Sequence, residues 1–296
     1  MTATILDGRA MSADLRAELR TDVARYVQEC GQAPGLVIVR VEGDVASGVY
    51  SKAILRIANE IGVQAQLELL PVQTSPDELR STLIRLNNDN AVQGIIVQMP
   101  LPAHLPQEIV TETIAAEKDI DGISVQSAGR LFLGLPGLLP STVAAVVEIL
   151  ERSKTPLEGR HVVVLGRSNV VGKPLALLLL QKHATVTICH SRTVNLLSVT
   201  RQADILVAAV GHPKMVTAEM VRPGATVIDV GINALPEGGI VGDVDYASVS
   251  EVAGTLTPTP GGVGPLTNVL LLKQCVQTAW HQLHPTRRTR HPKGTR

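Results

Sequence analysis

The segment Gly166-Arg167-Ser168-Asn169-Val170-Val171-Gly172 follows the apolar run His161–Leu165 and precedes a helical stretch with Pro174 near its start. Backbone amides at a helix N-terminus bind phosphate, and glycine lets the phosphate come close. The spacing is not GxGxxG, and a structural glycine turn is the ordinary alternative. The next strand-like run, Thr185–Cys189, leads into His190-Ser191-Arg192-Thr193. NAD sites usually place Asp or Glu there to bind the ribose hydroxyls. Here a hydroxyl and a guanidinium stand instead. Ser191 and Arg192, with Arg167, would favour a 2′-phosphate that a carboxylate would repel, so the pattern points to NADP. A solvated Arg192 is the plainer reading, and His190 receives no catalytic role.

Other residues of chemical interest are scattered. Tyr50 lies in Ala46-Ser47-Gly48-Val49-Tyr50, and Gln98 opens Gln98-Met99-Pro100-Leu101-Pro102. Asp121 lies in Lys118-Asp119-Ile120-Asp121-Gly122, and Gly261-Gly262-Val263-Gly264-Pro265-Leu266-Thr267 comes late. Taken singly, Asp before Gly is a turn, and Tyr50 and Gln98 are packing and strand-end residues. Gly211 and Gly231-Ile232-Asn233 follow strand-like runs, where a glycine alone indicates only a turn.

Alternating elements must position these residues. Ser12 is expected to cap a helix with an apolar stripe at Leu15, Leu19, Val23 and Val27. Pro34 and Gly35 open a strand over Leu36–Val41, and a helix from about Ala46 to Ile61 stops at Gly62. Ser75-Pro76-Asp77-Glu78 reads as a capping box with Pro at the first helical position. Val92–Gln98 reads as a buried strand. Later come a helix near Ser141–Arg152 and strands over His161–Leu165, Thr185–Cys189, Asp204–Val210 and Thr226–Val230. An apolar helix from about Asn268 to Gln282 is expected to return to the first domain, after a turn at Gly261–Pro265. Strands separated by helices imply parallel βαβ units.

The 296 residues suffice for two domains. Apolar content of 45% with 18% charged residues describes a soluble globular protein. Zero formal net charge supplies no field to draw nucleic acid, and 2% aromatics argues against base-stacking modules. Cys30, Cys189 and Cys275 fit neither a disulfide framework nor a zinc site. No leader and no long apolar run is seen, so a cytoplasmic location without membrane contact is expected.

Taken together in order, these motifs resemble the methylenetetrahydrofolate dehydrogenase/cyclohydrolase family, from about Leu6 to Ala279. The resemblance implies an α/β fold of two αβα domains with parallel sheets. The second is a Rossmann-type NADP-binding domain, with a substrate cleft between the two. Residues 1–139 with 268–285 would form the folate-binding domain and 140–267 the NADP domain, leaving 286–296 as a basic, disordered tail. Cofactor contacts carried over are Gly166, Arg167, Ser168, Val171, Gly172, Ser191, Arg192, Gly211 and Ile232. Catalytic and substrate residues are Tyr50 against the aminobenzoyl ring, Gln98, and Asp121 on the amino-pyrimidine edge. Gly262 and Pro265 also contact substrate. No metal is implied, the partners are tetrahydrofolate one-carbon derivatives, and the assembly is a homodimer.

The chain departs from this pattern at one chemically decisive place. The family lysine four residues after the tyrosine is Ile54 here. Positions 50 and 54 share a helix face, whereas Lys52 lies roughly 200° and Arg56 about 240° round from Tyr50. Hydride transfer needs positioning and no protein base. Hydrolysis of the methenyl cation needs water activation, which isoleucine cannot give. Dehydrogenase activity is therefore expected to survive and cyclohydrolase activity to be weak or lost. Other departures are Ser141 in place of cysteine, Ser127 in place of asparagine, and Leu266 in place of methionine. Three other readings stand beside this one. The first is a fully bifunctional enzyme using Lys52 or a water chain. The second is a non-catalytic folate- or nucleotide-binding relative. The third is another Rossmann dehydrogenase, acting on amino acids or shikimate.

Overall fold

The computed structural model describes residues 2–284, so the basic tail 286–296 lies outside the described residues. Two compact units divide the chain. One holds Ala17–Ile120 and the chain from Leu272; the other holds the chain up to Arg16 and Asp121–Leu271.

The first unit is built on a three-stranded parallel sheet. Gly35–Val41 is its centre, flanked by Gln64–Leu70 and Gly94–Val97, with Val37 opposite both Gln66 and Ile95. The central strand is buried along nearly its whole length, as a strand covered on both faces must be. Val45–Ile61 forms a helix capped by Asp44, whose carboxylate accepts from the Ser47 N–H, and closed by Gly62 at φ 88°. Pro76–Asn88 starts in the expected capping box: Ser75 Oγ accepts from Glu78 N, and Glu78 returns a carboxylate to Ser75 N.

The second unit is a six-stranded, all-parallel sheet. Its order is Thr4–Ile5, Thr255–Leu256, Thr226–Asp229, Ile205–Ala208, His161–Leu165, Thr185–Cys189. The chain runs outward from His161–Leu165 in both directions. That makes the gap between it and Ile205–Ala208 the topological switch point, where such sheets bind ligands at their carboxyl ends.

Several expectations need correction. Ser12 is not a cap: the helix runs Gly8–Cys30, and Asp7 Oδ1 accepts from the N–H groups of Arg9 and Ala10. Ser12 is buried inside that helix and donates its hydroxyl to the Pro265 carbonyl at 3.0 Å. The stripe holds at Leu15, Leu19 and Val23, but Val27 is 38% exposed. Each i+4 step drifts about 40°, so by Val27 the stripe has rotated out. Tyr26 takes its place, edge-on against Trp280. The last helix starts at Val263, not near 268, with Pro265 in its first turn, where the missing N–H costs little. The two compact units are bounded at Arg16, Ile120 and Leu271. Thr4–Ile5 extends the six-stranded sheet, and Gln181 Nε2 donates to the Leu131 carbonyl at 2.6 Å, tying residues 121–139 to that unit.

Candidate functional site

Gly166 follows the His161–Leu165 strand at φ 125°, and a Cβ there would overlap the Ala209 carbonyl oxygen. A Cβ on Gly172 would overlap the Gly166 carbonyl. The turn between the two glycines is thus folded tightly on itself and on the end of the neighbouring strand. Ser168 Oγ accepts from Val171 N at 3.1 Å and Gly172 N at 3.4 Å, just ahead of the Gly172–Gln181 helix. Arg167 to Val170 are exposed above the turn. Gly211, at φ 67° on the other side of the switch point, has open space where a Cβ would stand.

Beyond the Thr185–Cys189 strand, Ser191 and Arg192 are exposed. His190 anchors their loop. Its N–H donates to Thr193 Oγ1 at 2.9 Å, and its Nδ1 accepts from Arg192 N at 3.1 Å.

Three expected residues come together elsewhere in this unit. Ile232, Gly262 and Pro265 line one cavity of about 250 Å³, with Arg9 and Asp229 also on its wall. Ile232 is 64% exposed. Close approach builds the wall: a Cβ on Gly8 would overlap the Gly262 carbonyl. A second cavity, of about 230 Å³, lies at the amino ends of the strands beside the Arg222–Asp204 ion pair. It contains none of the expected residues.

Asp121 is half-buried, and its Oδ1 accepts the Ser141 hydroxyl at 2.7 Å, so the serine found in place of cysteine engages the carboxylate. Lys118 is buried and donates to the carbonyls of Leu86 and Asp89. Burial lowers its pKa, and Asp89 opposes that shift. Lys118 and Gln98 both belong to the unit Ala17–Ile120, not to that of Asp121; Gln98 is buried at the end of its strand, its N–H donating to Val39 O. Tyr50 is half-buried, Ile54 fully buried, and Lys52 and Arg56 exposed.

Sequence reasoning missed two buried aspartates. Asp229 accepts from the N–H groups of Gly231, Asp243 and Val244. Asp243 accepts from those of Val210, Gly211 and His212 and from Asn233 Nδ2. An Asp beside Gly reads as a turn; the only hint was that Asp229 ends an apolar strand, where a carboxylate must find partners.

Burial lifts the Asp229 pKa to about 6; the three N–H bonds pull it down, and the neighbouring Asp243 charge adds a small upward push. The folded state therefore holds this proton more tightly than the unfolded chain. The stability it contributes is full below about pH 4 and is lost as pH rises through about 6, a change of roughly 3 kcal/mol. Urea unfolding from pH 4 to 7 should show Asp229→Asn lacking this part of the decline. Parallel pH profiles for the two proteins would refute the assignment.

A doubly wound parallel sheet with a glycine turn at its switch point defines a dinucleotide-binding α/β protein. Residues 6–121 match the catalytic domain of tetrahydrofolate dehydrogenase/cyclohydrolase, and residues 140–283 its NAD(P)-binding domain. The chain belongs to the tetrahydrofolate dehydrogenase/cyclohydrolase family. It is 48% identical over 283 residues to the bifunctional protein FolD of Roseiflexus sp. (strain RS-1), covering 96% of this chain and 98% of that one. Among solved structures, the bifunctional FolD of Campylobacter jejuni is 39% identical, with a TM-score of 0.92 over 95% of this chain and 99% of its own. The Trypanosoma brucei enzyme, solved with NADP and an inhibitor, is 34% identical, with a TM-score of 0.91 over 96% and 99%. Among the described residues, no helix is long and apolar enough to cross a membrane.

Proposed function

We propose that this chain is an NADP-dependent 5,10-methylenetetrahydrofolate dehydrogenase whose cyclohydrolase activity is weak or lost. The observation that carries the reading is the pairing of a tight glycine turn at the switch point with a buried isoleucine at the family's lysine position. The turn supports the first activity, and the isoleucine removes the base of the second.

The chemistry a bound NADP⁺ supplies is acceptance of a hydride from the one-carbon bridge. The protein's part is to bind and orient. The exposed residues Arg167–Val170 of the Gly166–Gly172 turn suit a pyrophosphate, and the open side of Gly211 fits a ligand approaching closely. Ser191, Arg192 and Arg167 are exposed and suited to a 2′-phosphate; the T. brucei relative's complex with NADP agrees with that choice. Tyr50 would pack against the aminobenzoyl ring. Asp121, kept in place by Ser141, would accept N–H bonds from the amino-pyrimidine edge. Gln98, Gly262, Pro265 and Ile232 complete the site by resemblance. No side chain is needed to take a proton in the hydride step. Hydrolysis of the methenyl product would need one, and the exposed Lys52 faces away from Tyr50's side of the helix. We also carry over the homodimeric state, which sedimentation of the full chain would check.

A two-channel assay of the purified chain tests the proposal. Nucleotide reduction should be brisk with methylenetetrahydrofolate and NADP⁺, and loss of the methenyl chromophore should stay close to the uncatalysed rate. Absence of reduction would favour a binding protein, and rapid chromophore loss a bifunctional enzyme. Arg192→Ala is expected to weaken NADP⁺ about tenfold and leave NAD⁺ almost unchanged, since a charged hydrogen bond is worth about 1.5–3 kcal/mol. Equal losses for the two nucleotides would remove Arg192 from the site.

A further inference from the structure

We propose that Asp243 is a positioning residue for the dinucleotide: its carboxylate sets the loop Val210–His212 at the switch point, and with it the affinity for NADP⁺. This inference rests on the cofactor reading above.

The side chain is fully buried, and four donors converge on it. Oδ2 accepts from Val210 N and from Gly211 N at 3.0 Å. Oδ1 accepts from His212 N at 3.0 Å and Asn233 Nδ2 at 2.9 Å. A buried carboxylate is tolerable only when its lone pairs are met in this way. Three of the donors are successive amides of the loop that follows Ile205–Ala208. The fourth comes from the segment after Thr226–Asp229. One carboxylate thus joins the carboxyl ends of two adjacent strands.

The glycines show how closely this arrangement is drawn. A Cβ on Gly231 would overlap the Asp243 carboxylate, and one on Gly242 would overlap that of Asp229. Asp229 Oδ1 in turn accepts from Asp243 N at 2.9 Å, fixing where the Asp243 side chain starts. On its far side the loop abuts the cofactor turn, because Ala209 O occupies the space a Gly166 Cβ would need. Gly211 and His212 are exposed, so this same loop presents a free face beside the turn. A shift of the loop would therefore move both walls of the switch-point crevice.

Asp243→Asn keeps the size of the side chain but turns one acceptor oxygen into an N–H₂ group facing N–H donors. NADP⁺ titration of the full chain, followed by calorimetry, should show affinity about tenfold weaker than wild type. KM for methylenetetrahydrofolate should stay within about twofold of wild type, a split that general loosening of the fold would not give. If Asp243→Asn does not fold, Asn233→Ala decides, because it removes one donor and leaves the three backbone bonds; a loss of about threefold is expected. A folded Asp243→Asn protein that binds NADP⁺ like wild type, or loses both substrates equally, overturns the assignment. Wild-type protein that binds no NADP⁺ would overturn the cofactor reading itself, which separates the two failures.

Discussion

Ile54→Lys is expected to raise methenyl hydrolysis by about 10²–10⁴-fold, the range a positioned general base contributes, and to change nucleotide reduction little. The Val45–Ile61 helix puts position 54 one turn beyond Tyr50, and Ile54 is fully buried there. A lysine can lay its methylenes along that apolar surface and extend its ammonium past it. Partial burial would also lower its pKa toward neutrality, as a base working near pH 7 requires. The cost is desolvation and imperfect packing, roughly 1–3 kcal/mol of stability. Lys52→Met serves as the control. Lys52 is exposed, so its removal should leave both rates unchanged. A folded Ile54→Lys protein with no gain in hydrolysis would show that the isoleucine is not what silences that activity. Hydrolysis lost in Lys52→Met would transfer the role to Lys52.

Gly172→Ala is the second large effect. The added methyl would overlap the Gly166 carbonyl and come within 2.8 Å of Arg167 N, both of them backbone atoms that cannot rotate away. The turn must open, at about 1–3 kcal/mol, which is about fivefold to 150-fold in NADP⁺ affinity if the strain falls on the bound state. Gly211→Ala is the comparison: it meets no neighbour within 4 Å and carries only the strain of φ 67°. NADPH fluorescence titrations of both variants, with thermal melts, check the contrast. Equal affinity for Gly172→Ala and wild type would mean that the turn does not touch the dinucleotide.

Local rules made much of this legible. The Ser75–Glu78 capping box is a contact between residues three apart, and the Gly62 stop needs only a left-handed backbone; both were readable before any fold was known. The strand His161–Leu165 and the helix Ser141–Arg152 have the bounds the apolar pattern drew. Asp7 was hidden because Asp-Gly reads equally well as a turn, and Ser12 was misread because a serine's local bonds compete with distant ones such as Pro265 O. Of the site, the Gly166–Gly172 turn could be read directly, whereas a lysine expected at position 54 is implied only by the family resemblance. The fixing of Asp121 by Ser141 across twenty residues could not.

The sequence by itself determined the alternation of strands and helices and the type of each chemical group, down to a hydrocarbon one helical turn beyond Tyr50. Those are properties of neighbours along the chain, set by periodicity and side-chain identity. Only the tertiary structure decided that Thr4–Ile5 extends the six-stranded sheet and that Asp243 gathers amides from Val210, Gly211 and His212. Both depend on which strand ends the parallel topology brings side by side. A buried carboxylate or an edge strand takes its partners from whatever backbone lies there, at any distance in sequence.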